Sequence, residues 1–244
     1  MCKLLAEIPP RGYVYHMKTI AHIHTDLPTK FGVPRQSGLV DALKARIVFT
    51  EAYRDSEALR GLEDFTHIWL IWEFSEARRD DWSPTVRPPR LGGNKRLGVF
   101  ATRSPFRPNP IGLSCVKLER VELHSPEGPV LHVAGADLMD GTPIFDIKPY
   151  VPYADAHPEA AGGFTTALDD APLAVEFPEE WRRGFTQEQQ EAIVGILERD
   201  PRPHYHEDPE RIYGMTFAGR DVRFVVRENC AVVCGVEMAG GSHG

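Results

Sequence analysis

Apolar and polar residues alternate with period two through six stretches of the chain: TIAHIHT (19–25), ARIVFT (45–50), THIWLIWEF (66–74), RLGVFAT (96–102), LSCVKLERVEL (113–123) and PVLHVAGADL (129–138). Alternation at that period buries one face of an extended strand and wets the other. Clusters of Gly, Pro, Asn and Asp separate the stretches, and no crossover helix lies between them. Short strands so closely spaced predict a mainly β fold, an antiparallel barrel or sandwich. ALRGLEDF (58–65) offers only a helical turn or two.

After VPYADAHPEAAGG the alternation lapses, and residues 156–175 read as a linker rich in Ala, Gly and Pro. The period then becomes helical. In FTQEQQEAIVGILERD (185–200), Ala192, Ile193, Ile196 and Leu197 form an apolar face, Thr186 and Gln189 are spaced for a capping box, and Pro201 stops the helix. YGMTFAG and DVRFVVRENCAVVCGVEM follow as strands, the last two joined near Glu228-Asn229. The expected organisation is a β-barrel domain over residues 1–155, a linker over 156–175 and a small α+β domain over 176–244. No internal repeat is evident.

Composition narrows the class. Among the 244 residues, 42% of them apolar, no run approaches the ~20 needed for a membrane span. MCKLLAEIPPRG lacks a hydrophobic signal region, so a cytoplasmic protein without membrane contact is expected. Four cysteines (Cys2, Cys115, Cys230, Cys234) are too few and scattered for a disulfide framework. Cys230 and Cys234 are expected to share a strand face as buried thiols rather than as a metal pair.

The net charge of −7 argues against a nucleic-acid partner, but its distribution reverses that. No acidic residue lies between Asp81 and Glu119, where average density would place about five. The same span holds Arg87, Arg90, Lys95, Arg96, Arg103, Arg107 and Lys117. A cationic stripe on an acidic chain is either a solvated face or a local anion site.

Within the stripe runs ATRSPFRPNPIG (101–112). Pro105, Pro108 and Pro110 fix φ and extend the residues before them, so Arg103, Arg107 and Asn109 are presented pre-ordered to a ligand. Arginine suits phosphate or carboxylate, and Phe106 offers a stacking face for a base. A second segment, ADLMDGTPIFDIKPY (136–150), brings Asp137 and Asp140 around a turn, then alternates Asp146, Lys148 and Tyr150. These groups suit a general base with its tuner, ribose ligands, a structural ion pair or part of a cation site. No GxxxxGK[ST], GxGxxG, HExxH or GxSxG is present, and HYHED (204–208) is the nearest approach to a metal-ligand spacing. The residues alone imply a β-rich protein that binds an anionic, base-containing ligand.

GVPRQSGL (32–39), RGLEDFTHIWLIWEF (60–74), RPPRLGGNKRLGVFATRSPFRPNPIGLS (87–114) and DLMDGTPIFDIKPYVP (137–152) resemble the TsaA-like TrmO family, and DPRPHY (200–205) resembles its bacterial C-terminal domain. The resemblance implies a β-barrel methyltransferase acting as a homodimer. Its implied reaction takes a methyl group from S-adenosylmethionine to N6 of a tRNA adenosine that already bears threonylcarbamoyl, beside the anticodon, with no metal. The implied cofactor site is Arg35, Gln36, Ser37, Arg103 and the turn Leu138, Met139, Asp140, Gly141. Ser75 and Glu76 belong to it where many relatives carry a histidine. Arg107, Asn109, Asp146, Lys148 and Tyr150 fall on the substrate side, with Asp146, oriented by Lys148, as base. Two other functions fit the residues: a barrel that binds RNA or nucleotide without catalysis, and a metal-dependent hydrolase using Asp137, Asp140 and Asp146.

If the stripe contacts phosphates, affinity for tRNA falls steeply with salt, with a log–log slope of roughly −0.7 to −0.9 per neutralised phosphate. Arg90→Ala together with Lys95→Ala should flatten that slope in filter binding; an unchanged slope would remove the stripe as an RNA surface.

Overall fold

The computed structural model describes residues 17–77, 79, 81–88, 95–167, 171–202 and 208–240. Cys2 and the other residues of the first 16, Arg90 and most of HYHED lie outside the described residues. The strands are β1 (Ala21–Thr25), β2 (Lys44–Phe49), β3 (His67–Glu73), β4 (Thr85–Val86), β5 (Leu97–Gly98), β6 (Ile111–Glu122), β7 (Val130–Ala134) and β8 (Pro143–Pro149). β1, β2, β7, β6, β3 and β8 close in that order into an antiparallel barrel, while β4 and β5 form a separate two-stranded ribbon. Ile23, Ile47, Ile68, Leu70, Leu131 and Ile144 fill the barrel. The alternation in the sequence is this interior, written strand by strand. RLGVFAT is the exception: only Leu97–Gly98 is extended, and Val99–Ala101 coils into a 3-10 turn.

The C-terminal part contains α1 (Pro152–Asp155), β9 (Ala174–Glu176), α2 (Glu179–Arg182), α3 (Gln187–Glu198), β10 (Tyr213–Phe217), β11 (Arg220–Arg227) and β12 (Cys230–Met238). Its sheet runs β10-β11-β12-β9, with β9 parallel to β12. β9 begins inside the segment read as linker. Thr186 and Gln189 form the capping box, and Glu228 and Asn229, both at positive φ, make the β11–β12 turn. The expectation of buried thiols on β12 is corrected: Cys230 is half-buried and Cys234 exposed. They share one strand face, the one opposite the buried Ala231 and Val233.

The packing of residues 26–43, between β1 and β2, was not visible in the sequence. Leu27, Val40 and Leu43 are buried not in the barrel core but in the C-terminal core, with Ile193, Leu197, Met215 and Phe224. A Cβ on Gly32 would lie 2.5 Å from Met215 Sδ, and one on Gly195 2.7 Å from Val40 Cγ1, so glycine permits both contacts. Asp26 carbonyl accepts from Ala218 N–H at 2.9 Å, and its carboxylate accepts from Gln189 at 3.1 Å.

Ile193→Ala is expected to destabilise the C-terminal core by about 2–5 kcal/mol. Hydrogen exchange should then speed up at Val33 and Leu43 together with the β11 amides, while Leu131 in the barrel keeps its protection. Unchanged exchange at Val33 and Leu43 would show that the barrel alone holds the segment.

Candidate active site

A cleft of about 920 Å³ opens at one end of the barrel. Segment 26–43 supplies Lys30, Val33, Pro34, Arg35 and Gln36; the end of β3 and the turn after it supply Trp72 through Ala77. The opposite side is Phe100, Arg103 and Pro105 through Asn109, with Ile111, Gly112 and Leu113 of β6. Asp137, Met139, Asp140, Gly141 and Thr142 complete it.

The proline-bearing loop is braced by its own hydrogen bonds. Thr102 Oγ1 donates to Val99 O at 2.8 Å and accepts from Ser104 N–H at 3.2 Å; Arg107 N–H reaches Pro105 O at 2.9 Å, and the Arg107 guanidinium donates to Thr102 O at 3.1 Å. Ile111 N–H donates to Asn109 O at 2.7 Å, and Phe74 N–H to Pro110 O at 2.8 Å, fastening the loop to β3. Across the cleft, Arg103 donates to the Gln36 side-chain oxygen and Gln36 donates to Arg35 O.

At one wall the Trp72 ring lies on Gly112, where a Cβ would be 2.2 Å from Cε2. Trp72 Nε1 donates to Ser114 Oγ at 2.9 Å, and Ser114 Oγ donates to Asp137 Oδ1 at 2.6 Å. Burial raises the Asp137 carboxyl above its ordinary value, against the Ser114 hydrogen bond and the nearby Arg103 charge. The 138–141 turn is tied to β1: Thr25 N–H donates to Asp140 Oδ1 at 3.1 Å and Gly141 N–H to Ile23 O at 2.8 Å, with Gly141 at φ 75°.

Of the residues singled out from sequence, Arg35, Gln36, Ser75, Glu76, Arg103, Arg107, Asn109, Met139, Asp140 and Gly141 line the cleft. Leu138 is turned into the barrel core and meets Thr25 Oγ1 through its carbonyl at 3.4 Å. Ser37 approaches through its backbone, which hydrogen-bonds Asp137. Asp146, Lys148 and Tyr150 are not brought to the cleft. A bulge between Ile71 and Trp72 shifts the β3–β8 register, so Asp146 pairs beside Ile71 and Lys148 beside Trp69 on the outer face. There Lys148 Nζ lies 3.3 Å from Asp146 Oδ2, with Tyr150 against Trp69 at 5.9 Å between ring centroids. Asp146 is therefore separated from Asp137 and Asp140, and among the described residues no three metal-ligating side chains converge. Sequence reasoning gave Asp137 no cofactor role and read Trp72 only as strand core. The lone signal was Gly112 following the rigid loop.

A closed six-stranded barrel with a cleft of small-molecule size, rimmed by a cationic, proline-braced loop, is the class of architecture observed. The family profile described as the tRNA-methyltransferase O N-terminal domain matches residues 22–156, and that of the TrmO C-terminal domain matches 170–239. The chain belongs to the TrmO family. It is 41% identical over 210 residues to the tRNA (adenine(37)-N6)-methyltransferase of Escherichia coli (strain K12), covering 84% of this chain and 88% of that one. It is 45% identical over 170 residues to the enzyme of the same name from Eikenella corrodens, covering 69% and 95%. The crystal structure of TrmO from Pseudomonas aeruginosa superposes with a TM-score of 0.75 at 35% identity, over 92% of this chain and 99% of that chain.

A raised folded-state carboxyl pKa adds stability below the unfolded value and loses it as pH rises through the folded value. Asp137→Asn should therefore raise the melting temperature relative to the parent more at pH 7.5 than at pH 4, in the absence of ligand. A constant difference across that range would mean that Asp137 is not ionised against a desolvation penalty.

Proposed function

We propose that this protein is an S-adenosylmethionine-dependent tRNA methyltransferase acting on N6 of the adenosine 3′ of the anticodon. Its substrate is the adenosine already bearing threonylcarbamoyl, and it works as a homodimer in the cytoplasm. The observation that carries this is the cleft between the Arg35-Gln36 segment and the proline-braced loop, in a chain of the TrmO family. Its volume lies within the range of small-molecule sites. Bound there, the cofactor supplies an electrophilic methyl group on a sulfonium cation.

The donor set fits that ligand. Arg35, Gln36 and Arg103 suit its carboxylate. Asp137, Asp140 and Glu76 suit its positive charges, and Trp72 and Phe74, with ring centroids 4.2 Å apart, give an aromatic wall. Ser75, Met139 and Gly141 complete the wall, with Ser37 and Leu138 contributing backbone. Arg107 and Asn109 face the nucleotide from the rigid loop. Positioning supplies much of the rate, since donor and acceptor must be held about 3 Å apart in line. Asp146, oriented by Lys148, takes the N6 proton, with Tyr150 beside them.

Dimerisation reconciles that role with the outer-face location of Asp146. Leu113, 54% exposed, stands both at the cleft rim and in the cross-strand row Leu113–Ile71–Asp146. An isologous dimer through this sheet face covers Leu113 and Ile111 and sets the Asp146-Lys148-Tyr150 row of one copy against the cleft of the other.

Mass spectrometry of nucleosides from tRNA incubated with S-adenosylmethionine and chelator should show threonylcarbamoyladenosine heavier by one methyl group. Asp146→Asn should slow single turnover about 10²–10⁴-fold at unchanged cofactor affinity, and Arg103→Ala should weaken cofactor binding by roughly 1.5–3 kcal/mol. No mass change would refute the assigned reaction, and a retained single-turnover rate in Asp146→Asn would take the base role from Asp146.

A further inference from the structure

Arg35, on the cleft wall, does not stand on the barrel. Its Nη2 donates at 2.8 Å to the backbone carbonyl of Asp200, 165 residues away and just past the end of α3. That carbonyl is aimed by an unusual local structure. Asp200 sits at φ 45°, a left-handed conformation that non-glycine residues seldom adopt, and its N–H closes the helix on Leu197 O at 3.1 Å. Its carboxylate is gripped by Arg202: Nε to Oδ1 at 2.8 Å, Nη2 to Oδ2 at 2.9 Å, and the Arg202 N–H to Oδ1 at 3.2 Å. A fork-on-fork pair fixes orientation as well as distance, and these side chains are only 17% and 20% exposed. Tyr213, close enough to Arg202 to interact with it electrostatically, stacks on Phe31 of segment 26–43 at 6.4 Å between centroids.

We infer that Arg202 is a positioning residue for the cofactor. Through the left-handed Asp200 it holds a carbonyl within reach of Arg35, and so sets the direction of a guanidinium in the segment between β1 and β2. The Asp200-Pro201-Arg202 stretch, which the methyl-transfer chemistry leaves without a role, is thereby a brace on the cleft wall. An unbraced Arg35 samples other rotamers and must lose that freedom on binding. The C-terminal domain thus acts on cofactor affinity rather than on the nucleotide side, where Arg107 and Asn109 are braced by their own loop. This inference rests on the reading that Arg35 contacts S-adenosylmethionine.

The test is a double-mutant cycle in the full-length protein, with Kd for S-adenosylmethionine measured by calorimetry. Arg35→Ala should raise Kd, and Arg202→Ala should raise it by about tenfold, the equivalent of 1.4 kcal/mol. The double variant should be no weaker than Arg35→Ala alone, because Arg202 acts only through Arg35. Kd for tRNA should stay within twofold in Arg202→Ala. Phe217→Leu, a cavity in the same core at the end of β10 away from Tyr213, controls for lost stability and should leave the cofactor Kd unchanged at a comparable fall in melting temperature. Additive effects, an unchanged Kd in Arg202→Ala, or an equal loss in Phe217→Leu would each overturn the brace. An unchanged Kd in Arg35→Ala would instead remove the assignment of the cofactor wall, and the brace with it.

Discussion

The seam at which the barrel closes decides where the site can be. β1 meets β8 over only two register positions, Ala21 opposite Ile144 and His22 opposite Pro143. Proline has no N–H to extend the ladder, so it belongs at the start of such a strand. Beyond it β1 runs on to Thr25 beside β2 alone, and the unpaired side must find other partners. The 138–142 turn provides them: Ile23 N–H donates to Thr142 O at 3.1 Å, and Ile23 O and Leu27 O accept from Gly141 and Asp140. A short seam thus becomes one wall of a cleft.

The opposite wall has a different owner. Segment 26–43 leaves the barrel at the seam and returns at β2, yet its apolar residues are buried against α3 and the C-terminal sheet. At Gly38 and Gly135 it touches the barrel through backbone alone, Gly38 N–H to Gly135 O at 2.8 Å. The cleft is therefore assembled from two cores. Its proline loop is rigid in itself, whereas its Arg35-Gln36 edge is as rigid as the C-terminal domain makes it.

That division explains what was legible in the sequence. The strands and α3 were, because each buries one face at its own period and Thr186 and Gln189 mark the helix start. The proline loop was, because proline acts locally. The brace on Arg35 was not, since its partner lies 165 residues away and is a backbone carbonyl. The outward turn of Asp146, Lys148 and Tyr150 left only a faint mark, the consecutive apolar pair Ile144-Phe145 that breaks the alternation, and the pairing with β3 is what reveals the bulge that changes their face. The Trp72–Gly112 contact likewise needs cross-strand register, Trp72 opposite Gly112.

A loop that cradles phosphate would find no phosphate to bind in this ligand. Such loops and helix N-termini present N–H groups and positive partial charge, which suits pyrophosphate. S-adenosylmethionine carries no phosphate, and its reacting end is a cation. A carboxylate that burial pushes toward its neutral form gains most when a cation arrives, because ionisation and binding then assist each other. Asp137 is such a group, held by Ser114 at 2.6 Å behind an aromatic wall. The Trp72–Ser114 relay holds the Asp137 carboxylate in one orientation at the cleft wall.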